Sequence, residues 1–255
     1  VPLHTDEAFV LDAAPHRERD KIVTFYTETE GKLRGVAHGA ARSVRRFGGR
    51  LERLSRVRVT WFEKEGADLA RIDDVELIEE SFRLQEDLRV SAAVSYVCEI
   101  AVELAREREA DRRFFRLLGA VLAGFRAGVP VDLLARYFEF WTGRLHGVLP
   151  GFETCDACSG PFGAAGARVA AADGSALCSR CARGAAGRLL VVSRAALSVM
   201  EAFRIKAPRD LGNVAFPAAA LREIESAAGA ALAAFAGREF RARAFLDQVT
   251  SGEAR

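Results

Sequence analysis

Four cysteines carry the most specific chemistry in this chain. Cys155-x2-Cys158 is followed, after nineteen intervening residues, by Cys178-x2-Cys181. Two such knuckles bring four thiolates around one tetrahedral Zn2+, with the intervening hairpin closing the loop. Every coordination position is then taken by protein sulfur, so the expected zinc, one per chain, is structural and not catalytic. Two redox pairs, or four incidental thiols, are the competing readings. Cys98 lies among apolar residues at helical spacing and reads as a core thiol. His16-Arg17-Glu18 matches the H-x-E half of a zinc deaminase. However, Thr154 stands where that motif has Pro, and the second knuckle would be left unexplained. No phosphate loop, G-x-G-x-x-G, H-E-x-x-H or G-x-S-x-G occurs, and His4, His16, His38 and His146 have no nucleophile at motif spacing. The chain is therefore expected not to be an enzyme.

A second constellation is electrostatic. Lys32, Arg34, Arg42, Arg45, Arg46, Arg50, Arg53, Arg56 and Arg58 are opposed within their stretch only by Glu52, a local charge of +8. Glu63 to Asp87 then holds ten acids against three bases, so the chain's net +2 conceals two opposed blocks. Neutralising phosphates is the main source of sequence-independent affinity for nucleic acid, which makes the basic run the candidate DNA surface. Phe47, Trp61 or Phe62 could stack on bases if exposed. Trp61 alternates with Val57 and Val59 and fits a core better. A solvated face, partly paired with the acidic stretch, is the plainer alternative.

These residues need scaffolds of two kinds. Short runs rich in β-branched and aromatic residues fill residues 1–80, clearest where Val57, Val59 and Trp61 alternate with Arg56, Arg58 and Thr60. Five such strands suggest a small barrel or sandwich, with 39–55 as a loop and short helix. From Leu84 the period becomes helical: Val90 to Leu104, Phe114 to Phe125, then Leu134 to Leu145, punctuated by Gly128 and Pro130. Beyond the cysteines, Ser193 is a candidate N-cap and Pro217 a first-turn residue of two further helices. The expected fold class is α+β. The expected order is a barrel over 1–80, helices over 81–150, the zinc element over 151–188, and helices again over 189–255. Half of the 255 residues are hydrophobic and 28 % are charged, a globular balance. No apolar run is long enough to span a membrane. The charged first twenty residues argue against a secretory signal, so a reducing cytoplasmic setting is expected.

The parts also combine into a family pattern. "HRERDKIVTFYTETEGKLRGVAHGAARSVRRFGGRLE", the helices carrying "LLARYFEFWTGRLHGVLPGFETCDACSG", the second knuckle and "REFRARAFL" follow one another in order. In this the chain resembles the bacterial RecO family of DNA repair and recombination mediators, from about residue 8 to 249. One departure is "WTGRLHGVLPGF", where family members more often read close to "RLLGYAPDL". The resemblance implies an N-terminal OB-fold, a helical domain and a zinc element. It also implies binding of single- and double-stranded DNA, annealing of complementary strands without ATP, and help for RecA in displacing the single-stranded-DNA-binding protein, as part of the RecF pathway. Implied partners are RecR and the acidic C-terminal tail of the single-stranded-DNA-binding protein, with RecA reached indirectly and no membrane. The implied setting is the cytoplasm, with the nucleoid. Arg112, Arg113, Arg116 and Arg126 could edge a groove for the tail peptide. A zinc-ribbon interaction or regulatory module without annealing activity is the reading from another class.

Overall fold

Alternation of apolar and polar residues folds the first third of the chain into five strands. A computed structural model describes residues 2–41, 47–63, 66, 68–171 and 174–251. The strands are β1 (Leu3–His16), β2 (Asp20–Thr27), β3 (Gly31–Ala37), β4 (Arg56–Phe62) and β5 (Ala70–Glu79). They close into a barrel in the order β1-β2-β3-β5-β4. β1 serves two partners: Leu3–Phe9 pair with β4, and Ala8–His16 pair with β2. A bulge between Val10 and Asp12 bends it through the turn that closure requires. This is an OB-like architecture, as expected from the sequence.

Val57, Val59 and Trp61 point inward, as their alternation requires, and join Val10, Val23, Phe25, Leu33, Ile72 and Val75 in the barrel core. Phe47 and Leu51, from the segment between β3 and β4, are buried in the same core. Phe47 and Trp61 are 3 % and 1 % exposed, which removes both as stacking platforms. Gly31 shows why β3 must begin with glycine. Its φ is +74°, and an added Cβ would lie 2.2 Å from the Glu109 carbonyl oxygen.

The first two helical periods are α1 (Leu88–Leu104) and α2 (Arg112–Arg126), and the third is α3 (Val131–Leu145). Asp87 caps α1 by accepting the Arg89 N–H. The loop leaving α1 crosses β2 and β3, where the Asp111 N–H donates to the Tyr26 hydroxyl at 2.9 Å and Arg108 N–H to the Lys32 carbonyl at 3.1 Å. Cys98 is buried, as expected, and burial pushes its thiol up to about 12. The chain divides into two compact units: residues up to Leu122 together with those from Phe240 onward, and residues 123–239. The first unit thus recovers a helix from far along the sequence. Glu99 on α1 accepts the Arg241 and Ala242 N–H groups at 3.0 and 2.8 Å, at the N-terminus of the helix Arg241–Ser251.

In the second unit, β6 (Ala167–Ala170), β7 (Ala176–Cys178) and β8 (Leu189–Val192) form a sheet in the order β7-β6-β8. The hairpin expected between the knuckles therefore gains a third strand. Around it lie α4 (Ser179–Ala182), α5 (Arg194–Ile205) and α6 (Ala218–Ala236), and the helix Arg241–Ser251 of the first unit is α7. Ser193 caps α5, its hydroxyl accepting the Ala196 N–H. Pro217 occupies the N-cap of α6, and Gly237 ends that helix in the left-handed region. Tyr137, Phe140 and Trp141 of α3 pack on Phe203 of α5, whose carbonyl accepts the Trp141 indole N–H. Nearby, Arg136 is clamped between Glu139 and Glu225, each 2.8 Å away. Buried charge of this kind is tolerable only when so paired. Among the described residues, no helix is long and apolar enough to cross a membrane.

Candidate functional site

The two knuckles meet. The Sγ atoms of Cys155, Cys158, Cys178 and Cys181 all lie within 4.8 Å of one another, with Cys158 and Cys178 3.9 Å apart. A tetrahedral metal with bonds of about 2.3 Å to sulfur needs sulfur–sulfur edges of about 3.8 Å. The backbone fixes this geometry. Cys155 N–H donates to the Gly160 carbonyl, and Ser159 N–H to that of Cys155, folding the first knuckle tightly. Asp156 then joins the first knuckle to β7: its N–H donates to the Ala176 carbonyl, and its carboxylate accepts the Ala176 N–H. Cys178 ends β7 and starts α4, which brings Cys181 round on the next turn.

Electrostatics favours a cation there. Burial pushes Cys155 up, but N–H groups of Cys178, Ala157 and Cys158 outweigh it and hold the thiol down at about 6. The Cys181 N–H lowers Cys178 in the same way. Cys181, hydrogen-bonded to the Cys158 and Cys178 sulfurs, is pushed up to about 12. Neighbouring thiolates repel, and a divalent cation among them removes the conflict. The four cysteines fit a metal ion.

The structure divides the nine residues of the basic run. Lys32, mostly buried, donates to the Val102 carbonyl at 2.9 Å and lies 3.5 Å from Glu107. Arg53 pairs with Asp12, Arg56 with Glu7, and Arg58 with Glu76 and Glu7. Arg50 donates to the Val75 carbonyl. Arg34 is exposed on the outer face of β3 and makes no ion pair among the described residues. Arg42, Arg45 and Arg46 lie outside the described residues. Counting charges along the chain thus overstates what a phosphate would meet on β4. Two of the arginines placed at the edge of a tail groove are likewise engaged, Arg112 with Glu28 and Arg113 with Asp111.

Strand pairing instead assembles a row that sequence reading missed. On the outer face, Ile22 of β2 pairs with Val36 of β3, Val36 with Arg71 of β5, and Arg71 with Phe62 of β4. Ile22, Val36 and Phe62 are half-buried, while Arg71 is exposed and, among the described residues, without an ion pair. Arg34 stands two residues from Val36 on the same face. At the barrel's end, exposed Arg17 and Arg19 occupy the β1–β2 turn. That turn is tied to the chain entering the 42–46 stretch: Ala41 N–H donates to the Arg19 carbonyl at 3.0 Å, and Asp20 binds Gly39 N–H and His38. Arg71 sits in the acidic block and Arg17 and Arg19 precede the basic one. Only the register, which local sequence does not reveal, brings Arg71 beside Val36 and Phe62.

An OB-like barrel with exposed cations beside apolar side chains, joined to a four-cysteine element, is an architecture compatible with nucleic-acid association. Comparison with known sequences specifies the class. The family described as Recombination protein O N terminal matches residues 2–81, and Recombination protein O C terminal matches residues 85–244. The chain is 33 % identical over 240 residues to the DNA repair protein RecO of Anaeromyxobacter sp. (strain K), covering 94 % of each chain. It is 33 % identical over 244 residues to the DNA repair protein RecO of Geobacter sulfurreducens, covering 96 % of this chain and 97 % of the relative. The chain belongs to the RecO family of DNA repair proteins.

Proposed function

We propose that this protein binds single- and double-stranded DNA and anneals complementary strands without ATP, acting as a recombination mediator of the RecF pathway and not as an enzyme. The observation that carries this reading is the outer-face row of Ile22, Val36, Arg71 and Phe62, flanked by Arg34. Phosphates would meet the arginines while bases lie against Phe62 and the aliphatic side chains, a recognition that is tolerant of sequence. Annealing needs such an open, phosphate-neutralising surface; a base-reading groove would hold single sequences instead. In this reading the cysteines hold one structural Zn2+. The partners are RecR, the tail of the single-stranded-DNA-binding protein and, indirectly, RecA, in the cytoplasm at the nucleoid.

Reversal of Arg34 and Arg71 to Glu tests the row. Two lost contacts should flatten the log affinity–log salt slope for single strands by about 1.4. Annealing should fall with it, while the unfolding midpoint and zinc content stay unchanged. A variant that binds and anneals normally would remove the row from the DNA surface. The ion pairs of Arg53, Arg56 and Arg58 favour the second reading, an interaction module whose basic stretch is merely solvated. A wild-type protein inert in an ATP-free annealing assay would establish that one.

A further inference from the structure

The four-cysteine element carries exposed arginines of its own. Arg180, Arg183 and Arg188 are exposed within one short stretch, the first on α4, the second just beyond it and the third at the entry to β8. Among the described residues none of them makes an ion pair with a carboxylate. Among the described residues of the element, the two acids are engaged elsewhere. Glu153 pairs with Arg144 and Arg204, and the Asp156 carboxylate accepts the Ala176 N–H. Arg180 lies against the Cys158 and Cys181 sulfurs. It therefore offsets one of the two negative charges that four thiolates leave around a divalent ion, and Arg183 and Arg188 remain exposed.

The backbone holds these arginines in fixed places. Arg183 N–H donates to the Arg180 carbonyl and Gly184 N–H to that of Cys181, which closes the turn after α4. The Arg188 carbonyl accepts the Ala171 N–H and sets the start of β8 against β6. Phe162 is buried, and no aromatic side chain of this stretch is exposed. The chemistry is thus that of phosphate contact without base stacking: sequence-independent, weak and steeply dependent on salt.

We infer that Arg183 and Arg188 of the four-cysteine element form a second DNA-backbone surface, on a different compact unit from the barrel, which holds the second strand during annealing. The inference rests on the DNA-binding reading above and adds to it where the other strand sits. A protein with one phosphate surface can only bind a strand. One with a surface on each unit neutralises both polyanions that annealing must bring together.

The test uses the full chain, a labelled oligothymidylate as first strand and a non-complementary labelled oligonucleotide as second, with energy transfer reporting joint capture. The Arg183→Glu/Arg188→Glu variant should bind the first strand within about twofold of wild type. It should lose second-strand capture, with the salt slope of that step lowered by about 1.4, and anneal about tenfold more slowly. Its metal content should equal wild type, since neither residue touches sulfur. The Arg183→Lys/Arg188→Lys variant, which keeps the charge, should capture and anneal normally. Normal capture by the Glu variant overturns the inference and leaves the barrel reading intact. A Lys variant as defective as the Glu variant also overturns it, because the arginines are then structural. A wild-type protein that binds neither strand overturns both readings.

Discussion

Arg58 on β4 and Glu76 on β5 face each other across the barrel's outer surface, guanidinium to carboxylate at 2.9 Å. One belongs to the most basic stretch of the chain and the other to the most acidic, so the two blocks cancel in part where the strands pair. Replacing Arg58 with Gln should therefore leave the salt slope of DNA binding unchanged. The exposed pair itself contributes at most about 1 kcal/mol. Arg34→Gln should lower the slope by about 0.7. Anisotropy titrations of both variants against salt check the contrast, and an equal loss in both would show that ion pairing does not withhold Arg58 from DNA.

Cys178→Ser removes a ligand from the four-sulfur site and the residue that joins β7 to α4. Structural zinc contributes on the order of 10 kcal/mol to folding of a small module. Elemental analysis should find the metal gone. The strong sulfur-to-cobalt absorption expected with Co2+ in the wild type should be absent, and the element's amide protection should be lost. The barrel unit should keep its own unfolding transition.

Gly31→Ala places a methyl against the Glu109 carbonyl at a positive φ. Strain and collision together should cost on the order of 3 kcal/mol. Urea unfolding should show a lower midpoint at unchanged m. A midpoint equal to wild type would mean that the loop over β3 yields freely.

Asp20 is held below its ordinary value of 3.8, first by the Gly39 N–H and then by the His38 hydrogen bond. A depressed carboxylate stabilises the folded turn at every pH above that ordinary value, and the contribution is lost as pH falls through the lowered one. The Gly39 amide resonance should therefore hold steady down to about pH 4 and move only below it. In Asp20→Asn that acid transition should vanish.

How much of this was legible in the sequence depended on the range of the interactions. The four cysteines were legible because each knuckle is local and the hairpin between them is short. The inward set of β4 was legible because burial follows a period of two within one strand. The roles of Lys32, Arg53, Arg56 and Arg58 were not, since their partners lie on neighbouring strands or, for Lys32, on the end of α1 and the loop that follows it. Arg71 was hidden for the same reason, inside a stretch whose overall sign is negative. The terminal helix gave no local sign of its destination; its cap is supplied by Glu99, with a sequence separation of 142 for Arg241.

That last contact sets an order of events during synthesis. At translation rates of about 5–20 residues per second, α1 leaves the ribosome on the order of ten to thirty seconds before the segment that Glu99 will cap. The barrel strands can close in that interval, and residues 123–239 can form their own core as they emerge. The side of α1 that receives α7, including the Tyr96 edge that meets Phe240, stays bare throughout. A nascent chain stalled before Phe240 should therefore present an apolar flank to chaperones, which release of the terminal helix conceals.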